Sequence, residues 1–225
     1  MLNTPKDPLF DLIKSLTKSE KRNFKLFARR LQSGESAKFM LLFDALGKQK
    51  VYEEAKILKR LPQIKRSQLS NLKAHLNKQL LISLRLQHTP NNIDMQIRER
   101  MDYAKILYNK GLYKQSLKEL DRVKQVALDT EEYLLCYEII EFEKLIESQY
   151  ITRSIKSRSD DLVKQAVTLS HKTIRIHQLS NLALKLYGWY INIGSVRNKE
   201  DRAKVKTFFH TNLPNNLSEQ QLGFR

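Results

Sequence analysis

The sequence predicts an all-α protein, on three observations. Six glycines and five prolines are scattered over 225 residues. Apolar residues recur every three or four positions, and strictly alternating apolar and polar stretches are almost missing.

The elements follow in order. Asp7 ahead of Pro8 reads as an N-cap with proline at the first helical position, and Phe10, Ile13 and Leu16 then mark one face of a short helix. Thr17 and Glu20 form a T-x-x-E box in which each side chain satisfies the other's free backbone N–H, opening a second helix with Phe24, Phe27, Ala28 and Leu31 inward. Ser33 and Gly34 are expected to end it. A third helix carries Phe39, Leu42, Phe43 and Leu46 up to Gly47, and a fourth carries Tyr52, Ala55, Ile57, Leu58 and Leu61 up to Pro62, which cannot continue it. From 65 to 86 runs a longer helix with a stripe of Leu69, Leu72, Leu76, Leu80 and Leu84, which Leu81 and Leu86 are expected to widen. The polar cluster His88, Thr89, Pro90, Asn91 and Asn92 reads as the domain boundary, separating residues 1–90 from 91–225. Beyond it helices are expected at about 93–110, 112–128, 131–149, 160–175, 180–193 and 200–211, paired as antiparallel hairpins.

The most specific pattern lies between Ala104 and Val123. Gly111 stands where one helix must stop and the next begin, Ala104 and Ser116 are small where two helices would touch, and Leu107, Leu120 and Val123 fill between them beside Tyr108, Tyr113 and Leu117. This spacing resembles the tetratricopeptide repeat, closely over about 35 residues and loosely over about another 90. Tyr187, Gly188, Trp189 and Gly194 repeat the small and aromatic arrangement, with Ala203 and Phe208 in the following helix. The loop between Gly194 and Ala203 holds Arg197, Asn198 and Lys199 and is longer than that repeat allows, and the unit beginning near Tyr133 has no glycine. The resemblance implies a basic N-terminal helical bundle followed by a TPR-like array of helix hairpins. The front segment, with Thr17 to Arg22 ahead of Phe24, Leu26 and Phe27, also resembles the opening of uncharacterised helical proteins of the Bacteroidetes, which carries no activity. The tail from Leu213 has Pro214, Asn215, Asn216 and Gly223 but no polar closing helix, so the array is expected to be a piece of a longer one.

Charge narrows the partner class. The net charge is +17, and it is uneven: residues 1–90 hold 19 Lys and Arg against 7 Asp and Glu, the rest 22 against 17. Such a field attracts acidic proteins, nucleic acid or anionic surfaces. Lys6 and Asp7 fall too early for a secretory leader, Lys14 interrupts the nearby apolar stretch, and Leu80 to Leu86 is too short and polar to span a bilayer. The expectation is a cytoplasmic protein without membrane insertion.

Reactive constellations are scarce. Cys136, the single cysteine, sits among apolar residues and reads as a buried small hydrophobe. His75, His88, His171, His177 and His210 form no close ligand pair; His171 and His177 are six apart and on different helix faces. Glu131, Glu132, Glu138, Glu141, Glu143 and Glu147 could supply a carboxylate pair, but their ordinary reading is a solvated face. There is neither a phosphate-cradling glycine loop nor a nucleophile elbow. No catalytic residue, cofactor or metal is expected.

Two binding surfaces remain. The inner face of a repeat array would place Arg98, Lys105, Asn109, Tyr137, Glu141, Lys185 and Asn192 along a groove for a peptide or helix of a partner protein. The alternative is a nucleic-acid-associated regulator that meets phosphates with Lys21, Arg22, Lys25, Arg29, Arg30, Arg66 and Lys73. Lys21, Lys25 and Arg29 share one helix face, and Arg66, Ser67, Gln68, Asn71 and Lys73 follow the Pro62 break as in a loose helix-turn-helix.

Overall fold

A computed structural model describes residues 7–30, 34–150, 156–194 and 199–213. Among these the protein is all-α, with ten α-helices, one 3-10 turn and no strand. The backbone falls into two compact units, Met1–Gln96 and Ile97–Arg225, each with its own core. No described helix is long and apolar enough to cross a membrane.

In the first unit the local signals act as read. Helix α1 (Pro8–Ser15) is capped by Asp7, whose carboxylate accepts the Phe10 N–H at 2.9 Å. At the start of α2 (Lys18–Arg30) the Thr17 N–H donates to Glu20 at 2.7 Å and the Glu20 N–H donates to the Thr17 hydroxyl at 3.2 Å. Gly34, expected as a stop, instead begins α3 (Gly34–Lys48); Leu31 and Ser33 lie outside the described residues. Helix α4 (Glu54–Arg60) ends ahead of Pro62, and α5 (Arg66–His88) leads into a 3-10 turn at Thr89–Asn91.

The core gathers Ile13, Phe24, Phe39, Leu42, Leu46, Ile57, Leu76 and Leu80, and the Phe24 and Phe43 rings meet tilted by 53° with centroids 4.8 Å apart. Each such side chain contributes roughly 1.5–3 kcal/mol by leaving water. Leu81 and Leu86 do not widen the α5 stripe: both are exposed, and Ser83 is buried in their place. The reason is register. Position 83 continues the three-and-four spacing from Leu76 and Leu80, whereas 81 lies a full 100° step off Leu80 around the helix.

The second unit is built by α6 (Ile93–Asn109), whose first turns still belong to the first unit, then α7 (Tyr113–Asp129), α8 (Tyr133–Tyr150), α9 (Lys156–Ile193) and α10 (Lys199–Asn212). Gly111 has φ +75°, and around it the Leu112 N–H reaches back to the Leu107 carbonyl while the Gly111 N–H reaches Tyr108, closing the end of α6. The end of α7 repeats that pattern without glycine: Glu131 takes φ 60°, with Glu132 N–H to Ala127 and Glu131 N–H to Leu128. Ser116 and Ala104 are fully buried and in contact, the Ser116 hydroxyl donating to the Ala104 carbonyl at 2.8 Å. Cys136 is buried in this core.

One expectation fails at α9. The helices placed at 160–175 and 180–193 are one continuous helix of 38 residues. No proline or glycine stands between 175 and 180 to break it, and Ser180 alone is a weak stop. Gly188 lies inside the helix, as the expected span 180–193 has it, and Gly194, at φ +83°, ends it. Arg197, Asn198 and residues 214–225 lie outside the described residues.

Candidate functional site

Small residues at the α6–α7 crossing bring the two backbones close, and aromatic side chains then join α6 to α8. Tyr108 meets Phe142 edge-on with centroids 5.5 Å apart and donates its hydroxyl to Gln149 at 3.1 Å. Lys105 spans the same joint, its ammonium 4.9 Å from the Tyr108 ring and 4.8 Å from the Phe142 ring. Of the expected groove residues, the structure thus brings Lys105 of α6 against Phe142 of α8. Glu141 pairs with Lys144 at 2.7 Å, and Tyr137 is half-buried against the core. Arg98 and Asn109 are exposed on α6. Lys185 and Asn192 belong to a different stretch, the second half of α9, where Lys185 donates to Asn212 of α10 at 3.2 Å.

The acidic run divides. Glu131 and Glu138 are exposed as expected, but Glu143 has no exposed surface and Glu147 is buried. Both fall on the stripe of Cys136, Ile139, Ile140 and Ile146, so their spacing places them in the core and overrides their polarity. Lys124 of α7 donates to Glu143 at 2.5 Å, Arg158 of α9 lies 2.7 Å from Glu147, and Asp121 pairs with both cations. One oxygen each of Glu143 and Glu147 has no hydrogen-bond partner. Burial pushes the Glu143 carboxyl up to about 7 against the pull of Lys124, and the Asp121 carboxylate adds to the push. Asp121 moves the other way: its contact with Glu143 and the charges of Arg158 and Lys124 outweigh its own burial and lower it. Lys124 of α7 and Arg158 of α9 both reach the α8 carboxylates, so the cluster clamps three helices together.

Basic residues of the first unit are partly committed. Lys25 pairs with Asp44 at 2.7 Å and Arg66 with Glu54 at 3.5 Å. Lys73 pairs with the buried Asp7 carboxylate and donates to the Tyr52 hydroxyl at 3.1 Å. Burial lowers the affinity of Lys73 for its proton, but Asp7 and Tyr52 more than compensate and hold it above its usual value. Lys73 is therefore an internal brace between the α1 cap and α5. Arg22, Arg29 and Arg30 are exposed on α2. Ser67, Gln68 and Asn71 line a cleft of about 300 Å³ together with Lys38, Ile64, Leu72 and His75.

His171 and His177 are both exposed on α9. Among the described residues, no group of three or more His, Cys, Asp and Glu side chains is placed to hold a metal ion. Comparison with known proteins brings no match: no family model, no curated protein and no solved structure is significantly similar to this chain.

Proposed function

We propose that this chain is a non-catalytic scaffold that holds a peptide or helix of a partner protein on the helical array of its second unit, as tetratricopeptide-like repeats do. The observation that carries this reading is the joint at α6, α7 and α8. Small residues set the backbones close, Gly111 turns the chain, and Lys105 with the Tyr108 and Phe142 rings presents a cationic, aromatic surface. An acidic partner suits a net charge of +17.

Nucleic-acid binding by the first unit is the competing reading, favoured by the exposed Arg22, Arg29 and Arg30 and by the polar cleft at Ser67, Gln68 and Asn71. Against it, Lys25, Arg66 and Lys73 already face carboxylates of their own unit. Affinity capture from the host lysate with and without nuclease separates the two. A defined partner that survives nuclease, is lost with Lys105→Glu and is kept when Lys21, Lys25 and Arg29 become Gln supports the scaffold. Loss of all captured protein on nuclease treatment, with binding that falls log-linearly in salt, would establish the alternative.

A further inference from the structure

The cleft of about 300 Å³ in the first unit lies between α3 and the first turns of α5. Ser67, Asn71 and His75 stand four residues apart and so line one side of α5, and Gln68 and Leu72, spaced likewise, run beside them. Ile64, buried in the core ahead of α5, and the half-buried Leu72 give the cleft an apolar wall. His75 is held in place, its ring 5.3 Å from that of the core residue Phe39 and its Nε2 3.2 Å from the Gln79 carboxamide. Small-molecule sites begin at about this volume and combine apolar walls with a few placed polar groups.

The polar groups decide what fits. Lys38, which lines the cleft from α3, has donors only. The Gln68 carboxamide oxygen already accepts the Lys65 N–H at 3.3 Å, which leaves its amino group to donate. Ser67 and Asn71 can donate as well. Among the described residues, the side chains of Lys38, Ser67 and Asn71 are tied to no other group, and those lining the cleft include no Asp or Glu. One ammonium among uncommitted donors, with no carboxylate to repel a ligand, favours an anion rich in acceptors. A phosphate monoester brings three acceptor oxygens and a charge of about −1.5 to −2, where a carboxylate brings two oxygens and one charge.

We infer that this cleft binds a small phosphate monoester with a flat organic body, the phosphate on Lys38, Gln68 and Asn71 and the body against Ile64 and Leu72. The site is independent of the scaffold reading, which concerns the second unit.

The test titrates the full isotope-labelled chain with adenosine monophosphate, adenosine and inorganic phosphate, following the side-chain amide signals of Gln68 and Asn71 by nuclear magnetic resonance. Adenosine monophosphate should move both along a saturable curve with a Kd of about 1 mM or tighter. Inorganic phosphate should bind roughly tenfold more weakly, and adenosine should not move them. This comparison of ligands needs no variant. Lys38→Glu, whose side chain is exposed, should abolish the shifts at an unchanged melting temperature. Lys118→Glu on α7, the same change of net charge away from the cleft, should leave them. Absence of saturable shifts, adenosine binding as well as its monophosphate, or equal loss with the two lysine exchanges would overturn the inference. So would a single-stranded oligonucleotide that moves the same signals at lower concentration and whose affinity falls log-linearly in salt with a slope of several phosphates, which would give the cleft to nucleic acid.

Discussion

The two units treat buried charge in different ways. In the first, one carboxylate meets one ammonium: Asp7 caps α1 with one oxygen and takes Lys73 with the other, and Tyr52 completes the lysine's shell. In the second, Asp121, Glu143 and Glu147 share Lys124 and Arg158, and two carboxylate oxygens stay unsatisfied. Both units also leave large apolar side chains exposed, Leu81 and Leu86 on α5 and Leu184, Tyr187 and Ile191 on α9.

The sharpest way to break this contrast is Lys124→Met. It leaves Glu143 buried without its ammonium and should cost about 3–5 kcal/mol at pH 8, read by urea unfolding followed by circular dichroism. A loss below about 1 kcal/mol would mean that water reaches the cluster. Lys73→Met, with Asp7 still accepting the α1 N–H, should cost less.

The next effect has a sign that depends on pH. Glu143 has its carboxyl raised from 4.5 to about 7 in the folded protein, so between those values the native state binds a proton that the unfolded chain has released. Its contribution to stability is complete below pH 4.5 and is lost as pH rises through about 7. Glu143→Gln, which cannot ionise, should therefore gain stability relative to wild type between pH 5 and pH 8, by up to about 3 kcal/mol. A difference between the two proteins that is flat in pH would exclude the raised carboxyl.

The smallest expected effects compare two turns of the second unit. Gly111 and Glu131 end consecutive helices with the same hydrogen bonds and the same left-handed backbone, but only one is glycine. Gly111→Ala should destabilise by about 1 kcal/mol and Glu131→Gly should stabilise by about 0.5–1 kcal/mol, measured by thermal melting.

Those turns also mark how far the sequence could be read. Helix starts were legible because Asp7, Thr17 and Glu20 act on their own neighbours, and the α6–α7 crossing was legible because Ala104, Gly111 and Ser116 stand at fixed offsets. The end of α7 offers no such sign, since Glu131 adopts a glycine-like backbone without being glycine. Glu143 and Glu147 read by polarity as a solvated face, but their spacing from Cys136, Ile139 and Ile140 puts them in the core, where register overrides polarity. The break expected within 176–179 has no breaker residue behind it, and α9 runs on across it.

The central claim, that a partner protein is held by the second unit and not by the basic helices of the first, is tested most directly by amide hydrogen exchange with and without the partner that nuclease-resistant capture identifies. The account predicts added protection within 98–109 of α6 and 137–149 of α8 and none within 18–30 of α2. Protection confined to α2, or none anywhere at saturating partner, would contradict it.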